Sequence, residues 1–521
     1  MNFSIEVEIV ILMMVIVSVA MGVRYFSKLP YTIALIFAGI ILSFFHTFPD
    51  IHLTPDLIFH ILLPPLLFEA AFNLNANESK ANIKPILIYA VFGVIVSTFV
   101  IAFFLQTVFG LFDIDNNIPI IALLLFGVVI SSTDPISVLA IFKELGVPKR
   151  LSSIIEGESL LNDGISIVVF TIILSLAISH GEFHIVDGIK DFVLVAFGGA
   201  TVGVILGLTF SRITALVDDH LIEITLTTVV TYLTYIIAEY FSVSGVIAVI
   251  FAGLMVGNYG TKIGMSPTTR VSVKDFWDYI AFVINSVVFF IIGLEVSMIN
   301  IATNFHYIAL GIVAVLVGRI VSVVVLTPLI NIIDKPISFK WQTIFIWGGV
   351  RGALAMALAL AIPKEYEYRD MILMMTFGVV GFSLIVQGLS IASLLKLFKI
   401  GGKDKNLQKY EYEKGKLIAI NGALEDLEIM YKEALISEHV YKLLLEYQTK
   451  DLGKAKDVIE DLAKNDDVRE YEFKTSLKRL FLKQKDSIQD SMKHGIISLQ
   501  SGEKLISLIN KEILYIENKS N

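Results

Sequence analysis

The sequence predicts an all-α, polytopic membrane protein of about 13 transmembrane helices, followed by a helical domain in the cytoplasm. Of its 521 residues, 55% are hydrophobic and only 17% are charged, whereas roughly 25% are charged in ordinary soluble domains. The charges are unevenly placed, because residues 401–521 hold 21 of the 41 Lys and Arg residues and 22 of the 49 Asp and Glu residues. Two domains are therefore expected, a transmembrane domain over 1–400 and a charged domain over 401–521.

Thirteen apolar spans divide the first domain. Most of them have the roughly 20 residues that an α-helix needs to cross about 30 Å of hydrocarbon. The start of the chain lacks the basic region and the small-residue cleavage site of a signal peptide, so it is expected to be the first transmembrane helix. In chain order the spans lie at 5–23, 31–46, 55–73, 84–109, 118–142, 151–179, 189–211, 221–239, 242–258, 276–298, 304–331, 339–362 and 370–398.

The loops between the spans indicate the orientation. One set of alternate loops contains thirteen Lys and Arg residues, and the opposite set contains only Lys190, Lys364 and Arg369. Basic residues concentrate in cytoplasmic loops. We therefore expect a multi-pass protein of the cell membrane with its N-terminus outside and its C-terminus in the cytoplasm, an arrangement that requires an odd number of spans.

Residues 401–521 show apolar residues at helical spacing with charges between them, as in LEDLEIMYKEALISEHVYKLLLEY. This pattern predicts a cytoplasmic helical domain. A regulatory domain and a merely solvated helical extension both fit the pattern.

Composition also excludes several classes of function. The absence of cysteine removes disulfides, thiol catalysis and cysteine metal sites. The net charge is −8 and no basic patch with interleaved aromatic residues is present, so nucleic acid is not expected as a partner. Neither a cofactor motif nor a Walker A sequence is found, so no cofactor and no ATP is expected.

The segment 156–166, EGESLLNDGIS, places many polar groups in one membrane span. At about 100° per residue in a helix, these groups form a single stripe. A polar stripe is not expected to face lipid, so it faces the protein interior or a water-filled path; a buried structural network is the alternative. The residues of the stripe are Glu156, Glu158, Ser159, Asn162, Asp163 and Ser166.

Two spans are expected to be interrupted. In span 118–142, Pro135 removes a backbone donor and pushes Asp134 toward an extended conformation. In span 339–362, three glycines surround Arg351 and weaken the helix. These are the fifth and twelfth spans. If the seventh span links two six-helix units, each broken span is the fifth member of its unit. The offset of seven is odd, so one unit is inverted in the membrane relative to the other. Paired broken helices in inverted repeats indicate an ion or substrate site near the bilayer midplane.

Charge at such a crossing must be balanced. Freed carbonyl groups suit a cation, and Asp134 and Arg351 are suited to balance the facing ends of the helix dipoles. Arg319 needs an acidic partner within the membrane, and Glu158 and Asp163 are both suitable. The ionisable residues expected within the membrane are Glu69, Asp134, Glu158, Asp163, Glu295, Arg319 and Arg351.

Five segments together resemble the monovalent cation–proton antiporter family 1, which includes the NhaP-type proteins and the Na⁺/H⁺ exchangers. They are LPPLLFEAAFNL, SSTDPISVLAIFKELGVPKRLSSIIEGESLLNDGISIVVF, FFIIGLEV, GRIVSV and WGGVRGALAMALAL, and the resemblance spans residues from about 5 to 398. It implies thirteen helices in two inverted six-helix repeats, a homodimer, and exchange of Na⁺ or Li⁺, sometimes K⁺, for H⁺ by an elevator-like core.

The resemblance also implies roles for individual residues. Asp163 is similar to the family's cation- and proton-binding carboxylate, and Asn162 to its neighbour in an Asn-Asp pair typical of the electroneutral branch. Ser159 and the main chain of Thr133 would supply further oxygens to Na⁺. Asp134 and Arg351 would stabilise the crossed broken helices, and Glu158, Asn162 and Arg319 would form a structural polar cluster.

The expected mechanism is competition of a proton and a monovalent cation for Asp163, with alternating access across the membrane. A K⁺/H⁺ antiporter of the same fold and a cation channel remain alternatives. An intramembrane enzyme is disfavoured, because the histidines of the first domain all lie in or near loops or span ends.

Overall fold

The computed structural model describes part of the chain in detail, and all regular structure in that part is helical. The predicted all-α class is thus confirmed for the described residues. These are residues 5–25, 31–43, 57–112, 118–179, 185–214, 216, 219–261, 265, 267–296, 305–401 and 405–518. The chain forms two compact units, Met1–Gly401 and Gly402–Asn521.

The first unit contains eighteen α-helices among the described residues. The first nine are α1 (Ile5–Tyr25), α2 (Tyr31–Ser43), α3 (Leu63–Asn73), α4 (Ala76–Ala81), α5 (Ile83–Leu87), α6 (Gly93–Phe112), α7 (Ile120–Val129), α8 (Ile136–Leu145) and α9 (Lys149–Ser179). The next nine are α10 (Ile185–Thr214), α11 (His220–Tyr240), α12 (Gly245–Met255), α13 (Pro267–Val296), α14 (Phe305–Ile333), α15 (Phe339–Trp347), α16 (Ala353–Leu360), α17 (Arg369–Phe382) and α18 (Gly388–Phe398).

Four π-helical segments interrupt or precede these helices. Such segments are short, and they occur frequently at functional sites. They are Leu57–Leu62, Ile88–Phe92, Val256–Gly260 and Ser383–Gln387.

Several helical segments have the length and apolar character of membrane spans. Six of those described meet both conditions: Ile83–Phe112, Lys149–Ile178, Lys190–Thr214, His220–Tyr240, Phe305–Ile333 and Arg369–Phe398. Shorter apolar helices cover Val10–Val23, Tyr31–Ser43, Leu57–Asn73, Ile120–Val129 and Gly245–Gly260. The first unit is therefore a multi-pass membrane structure.

Close packing of α6 and α7 brings the first helix break into the interior. Gly127 on α7 lies against α6, where an added Cβ would be 2.7 Å from the carbonyl oxygen of Thr98. The hydroxyl groups of Thr98 and Ser131 are 3.3 Å apart. On other sides, α3 packs against α12 and α13, and α7 packs against α9. These contacts gather α3, α7 and α9 around one buried region.

The second unit consists of four described helices, in agreement with the helical pattern of residues 401–521. They are α19 (Lys405–Lys432), α20 (Glu438–Leu462), α21 (Asp466–Lys493) and α22 (Leu499–Asn518). Its small core includes Tyr410, whose side chain accepts a hydrogen bond from Lys414 Nζ at 2.9 Å. Burial, followed by the nearby Glu472 carboxylate, raises the pKa of Tyr410 above its usual range. The cytoplasmic location and the role of this unit stay predictions.

Candidate cation-binding site

The first helix break lies where Pro135 predicts it. Helix α7 ends at Val129 and α8 begins at Ile136, with non-helical backbone between them. The Asp134 side chain accepts a hydrogen bond from the Ile136 amide at 3.0 Å, so it satisfies a free donor at the start of α8. The break thus exposes backbone carbonyls after α7 and an acidic group at the start of α8.

The second break lies in the glycine-rich segment of the other predicted span. Helix α15 ends at Trp347 and α16 begins at Ala353. Gly352 precedes α16 and lies directly against the Asp134 side chain, which an added Cβ would strike. A glycine is therefore required here by space, because the two breaks approach each other at this point.

Hydrogen bonds join the two breaks. The Asp134 amide donates to the carbonyl of Val350 at 2.7 Å. In the other direction, Arg351 Nη1 donates to the carbonyls of Ser131 and Ser132 at 3.0 and 3.2 Å. A guanidinium at these carbonyls offsets the negative end of the α7 dipole. The structure therefore brings Asp134 and Arg351 to the crossing of the breaks, where their charges were expected.

The polar stripe of α9 faces the first break. Ser159 donates to the carbonyl of Thr133 at 2.5 Å, and Ser132 donates to Asp163 Oδ1 at 2.7 Å. Asn162 Nδ2 donates to the carbonyl of Ser131 at 3.0 Å, and its distance to Thr133 Oγ1 is 3.3 Å. The stripe thus holds the non-helical backbone of the break in place, while the Asp163 carboxylate receives a single hydroxyl donor among the described contacts.

Arg319 pairs with Glu158, which resolves the choice between the two candidate partners. Nη1 lies 2.6 Å from Oε1 and Nη2 lies 3.0 Å from Oε2. Arg319 Nε also donates to the carbonyl of Phe345 near the end of α15, at 3.1 Å. The helix that precedes each break, α7 or α15, therefore has an arginine at its carboxyl-terminal end. Arg351 binds carbonyls just after α7, and Arg319 binds a carbonyl near the end of α15.

A cavity of about 310 Å³ opens on this arrangement. Asp163, Ser159, Thr133 and Asp134 line it, together with Ser132. Its remaining wall is mainly apolar and comes largely from α3, α9, α13 and α16. The carboxylate that was expected to bind the cation is thus accessible from the cavity, whereas Glu158 is buried away from it.

The cavity also includes polar residues that sequence reasoning did not assign to the site. The sequence placed Glu69 within the membrane and Glu156 in the polar stripe without a role in cation binding, and both line this cavity with Asn73 and Asn285. Asn73 Nδ2 donates to Glu69 Oε1 at 2.5 Å. The contact between Glu69 and Asn73 could have been predicted from the sequence, because the two residues are four apart and therefore lie on one face of a helix. The Glu295 side chain lies outside the described part of the structure.

The donor set suits a monovalent cation. Within the described residues, no group of three or more His, Asp or Glu side chains could hold a metal ion. Around Asp163 at the first break lie the hydroxyls of Ser132 and Ser159 and the main-chain carbonyl of Thr133, and the Asp134 carboxylate lines the same cavity. Hard cations prefer oxygen ligands of this kind.

An all-helical membrane protein with a carboxylate-lined cavity at two joined helix breaks has the features of an ion-coupled transporter. The chain belongs to the transmembrane sodium/hydrogen exchanger family, whose model matches residues 9–397. This is a family of transporters, and the predicted family membership is confirmed.

Individual relatives agree with that membership. The chain is 38% identical over 420 residues to the Na⁺/H⁺ antiporter ApNhaP of Aphanothece halophytica, covering 79% of this chain and 78% of that protein. It is 33% identical over 519 residues to the Na⁺/H⁺ antiporter NhaG of Bacillus atrophaeus, covering 96% and 97% of the two chains. The structure of the sodium proton antiporter MjNhaP1 from Methanocaldococcus jannaschii at pH 8 matches the fold with a TM-score of 0.61 and 20% identity, covering 76% of this chain and 99% of the other.

Proposed function

We propose that the chain is a secondary transporter that exchanges Na⁺ or Li⁺ for H⁺ across the cell membrane. The observation that carries this proposal is the position of Asp163. Its carboxylate opens on the cavity and has no ion-pair partner among the described residues, whereas the neighbouring Glu158 is neutralised by Arg319. Of the α9 carboxylates that open on the cavity, Asp163 is the one bonded to the first break, through the Ser132 hydroxyl, so in this proposal it accepts either a proton or a cation.

The cation would be held by oxygens of the first break. Ser159 and the Thr133 carbonyl now bond to each other, so both oxygens already lie together beside Asp163. Rotation of the Ser159 hydroxyl would turn its lone pairs toward a cation without movement of the backbone. Ser132, which donates to Asp163, is a further hydroxyl within reach of the same carboxylate.

Competition for one carboxylate produces exchange. A proton and a Na⁺ each neutralise Asp163, and neither is held well while the other is bound. If the site changes sides only when it is neutral, inward movement of one ion is coupled to outward movement of the other. The energy then comes from the ion gradients alone.

The proposed exchange is electroneutral, with one cation for one proton. Asn162 supports this stoichiometry, because its side chain is a neutral amide. Its Nδ2 donates to the carbonyl of Ser131 in the break, and its Oδ1 accepts a hydrogen bond from Ser166 at 2.8 Å. A second carboxylate at this position would be able to carry a second proton, and an amide cannot.

The proposed architecture has thirteen transmembrane helices in two inverted six-helix repeats. The breaks between α7 and α8 and between α15 and α16 would be the interruptions of the fifth and twelfth spans, and the excess of basic residues in one set of loops supports an outer N-terminus and a cytoplasmic C-terminus. A homodimer in the cell membrane completes the proposal, and its basis is the family resemblance.

Transport by purified protein in liposomes tests this function. A pH-sensitive dye inside the vesicles should report proton movement when Na⁺ or Li⁺ is added outside, and additions of K⁺ measure the selectivity. Asp163→Asn should abolish the signal, because the amide can neither bind a proton nor neutralise a cation. Asp370→Asn is the matched control, since that side chain is 89% exposed at the start of α17. Full exchange by Asp163→Asn would refute the proposal.

A further inference from the structure

The last membrane helix contains a buried polar pair in its π-helical turn. Ser383 and Gln387 are the first and last residues of this turn, which lies between α17 and α18. The two residues are 1% and 4% exposed, and the Ser383 hydroxyl donates to Gln387 Oε1 at 2.7 Å. Neither residue lines the cavity at the first break, so neither is part of the site described above.

The Ser383 hydroxyl has a second bond, to the second helix break. It accepts a hydrogen bond from the Arg351 amide at 2.9 Å. Arg351 lies between α15 and α16, where the chain has left the helix and no helical carbonyl is in place for this amide. A buried amide of this kind requires a partner from elsewhere, and Ser383 is that partner.

The hydrogen bonds continue from Arg351 to the carboxylate. The guanidinium of Arg351 donates to the carbonyls of Ser131 and Ser132, and the Ser132 hydroxyl donates to Asp163. A connected series therefore runs from Gln387 through Ser383 and Arg351 to the first break and its carboxylate. Displacement of the Arg351 backbone would move the guanidinium and, with it, the carbonyl backbone beside Asp163.

The two breaks are supported in a parallel way. At the first break, Asn162 from the next long helix, α9, donates to the carbonyl of Ser131. At the second break, Ser383 from the turn that follows α17 accepts from the amide of Arg351. In each case a side chain from the next membrane span satisfies a backbone group that the break has freed, one a carbonyl and the other an amide.

We propose that Ser383 and Gln387 are positioning residues for the cation site. Ser383 fixes the backbone of Arg351, and Gln387 fixes the direction of the Ser383 hydroxyl, so that Arg351 holds Ser132 against Asp163. This inference rests on the proposed Na⁺/H⁺ exchange. It assigns the π-helical turn a function in cation affinity that does not involve contact with the ion.

Exchange kinetics in proteoliposomes test the assignment. Ser383→Ala should raise the apparent KM for Na⁺ about tenfold, because one hydrogen bond to a buried amide is lost, and should leave the maximal rate nearly unchanged. Ser383→Thr keeps the hydroxyl and should restore the KM. Gln387→Met should raise the KM less, and Ser383→Ala with Gln387→Met should be no worse than Ser383→Ala alone, because both act through one hydroxyl.

Thr376→Val is the matched control. Thr376 is a fully buried hydroxyl residue on α17, and its hydroxyl has no hydrogen-bond partner among the described atoms. Its replacement removes a buried hydroxyl from the same span without breaking the series of bonds, so the KM should not change. Size-exclusion profiles of all variants establish that they are folded.

Two results would overturn the inference while leaving the proposed function intact. The first is an unchanged KM in Ser383→Ala, and the second is a raised KM that Ser383→Thr does not lower. If Ser383→Ala fails to fold, Gln387→Met decides, and an unchanged KM in that variant overturns the inference. Absence of Na⁺-dependent exchange by the unmodified chain would refute the proposed function, and this inference with it.

Discussion

Arg319 on α14 and Glu158 on α9 form a two-point ion pair in the interior of the membrane unit, with oxygen–nitrogen distances of 2.6 and 3.0 Å. The two residues are only 6% and 1% exposed. Their charges therefore compensate each other, and Glu158 has no free charge to offer to an ion. The pair accounts for the different roles that we propose for two carboxylates five residues apart on one helix: Glu158 links α9 to α14, and Asp163 has no such partner among the described residues and is the proposed ion-binding group.

Removal of one partner of this pair should destabilise the protein strongly. Arg319→Met leaves the Glu158 carboxylate buried without a counter-charge, which costs about 3–5 kcal/mol. Thermal unfolding in detergent should show a clearly lowered midpoint. The double variant Arg319→Met with Glu158→Leu should recover much of the loss, because no charge is then buried.

An exposed ion pair provides the control for that comparison. Lys442 and Glu438 on α20 lie 2.7 Å apart with side chains 70% and 64% exposed. Lys442→Met should leave the unfolding midpoint unchanged, because solvent screens such pairs. A midpoint for Arg319→Met equal to that of the parent protein would show that the buried pair does not support the fold.

Gly352→Ala should impair exchange through a steric clash alone. The added methyl group would strike the Asp134 side chain, so the two breaks would have to move apart. We expect a loss of at least tenfold in exchange rate, since a misplacement of about 1 Å can cost roughly 100-fold in enzyme active sites. Gly110→Ala on α6 is the control, because nothing lies within 4 Å of its added Cβ. Normal exchange by Gly352→Ala would argue against a tight crossing of the breaks.

Exchange should not depend on the membrane potential. In the proposed exchange one cation crosses for one proton, and the Asn162 amide carries no charge, so no net charge would move in a cycle. Initial rates in liposomes clamped with valinomycin and K⁺ gradients should be equal at positive, zero and negative potentials. A rate that changes steadily with potential would mean unequal numbers of charges and would exclude the one-to-one stoichiometry.

The breaks were predictable from sequence because their causes are local. Pro135 cannot donate to a helix and three glycines weaken the helix around Arg351, whatever surrounds them. The partner of Arg319 was not predictable, because the helical stripe offers both Glu158 and Asp163 and only the position of Arg319 in the folded structure distinguishes them. Ser383 and Gln387 escaped notice for a related reason. A serine and a glutamine in an apolar span do not reveal which distant backbone amide they support. In the same way, the sequence around Asn285 does not reveal that this residue lines the cavity.

One Na⁺ should displace one proton from Asp163. The most direct measurement is proton release by the purified protein in weakly buffered detergent solution, recorded with a pH indicator while NaCl is added. The unmodified protein should release up to one proton per chain, and less as the starting pH is raised and the carboxyl group is already deprotonated. Choline chloride should release none, and Asp163→Asn should release none with either salt. Proton release by Asp163→Asn equal to that of the unmodified protein would contradict the competition at Asp163.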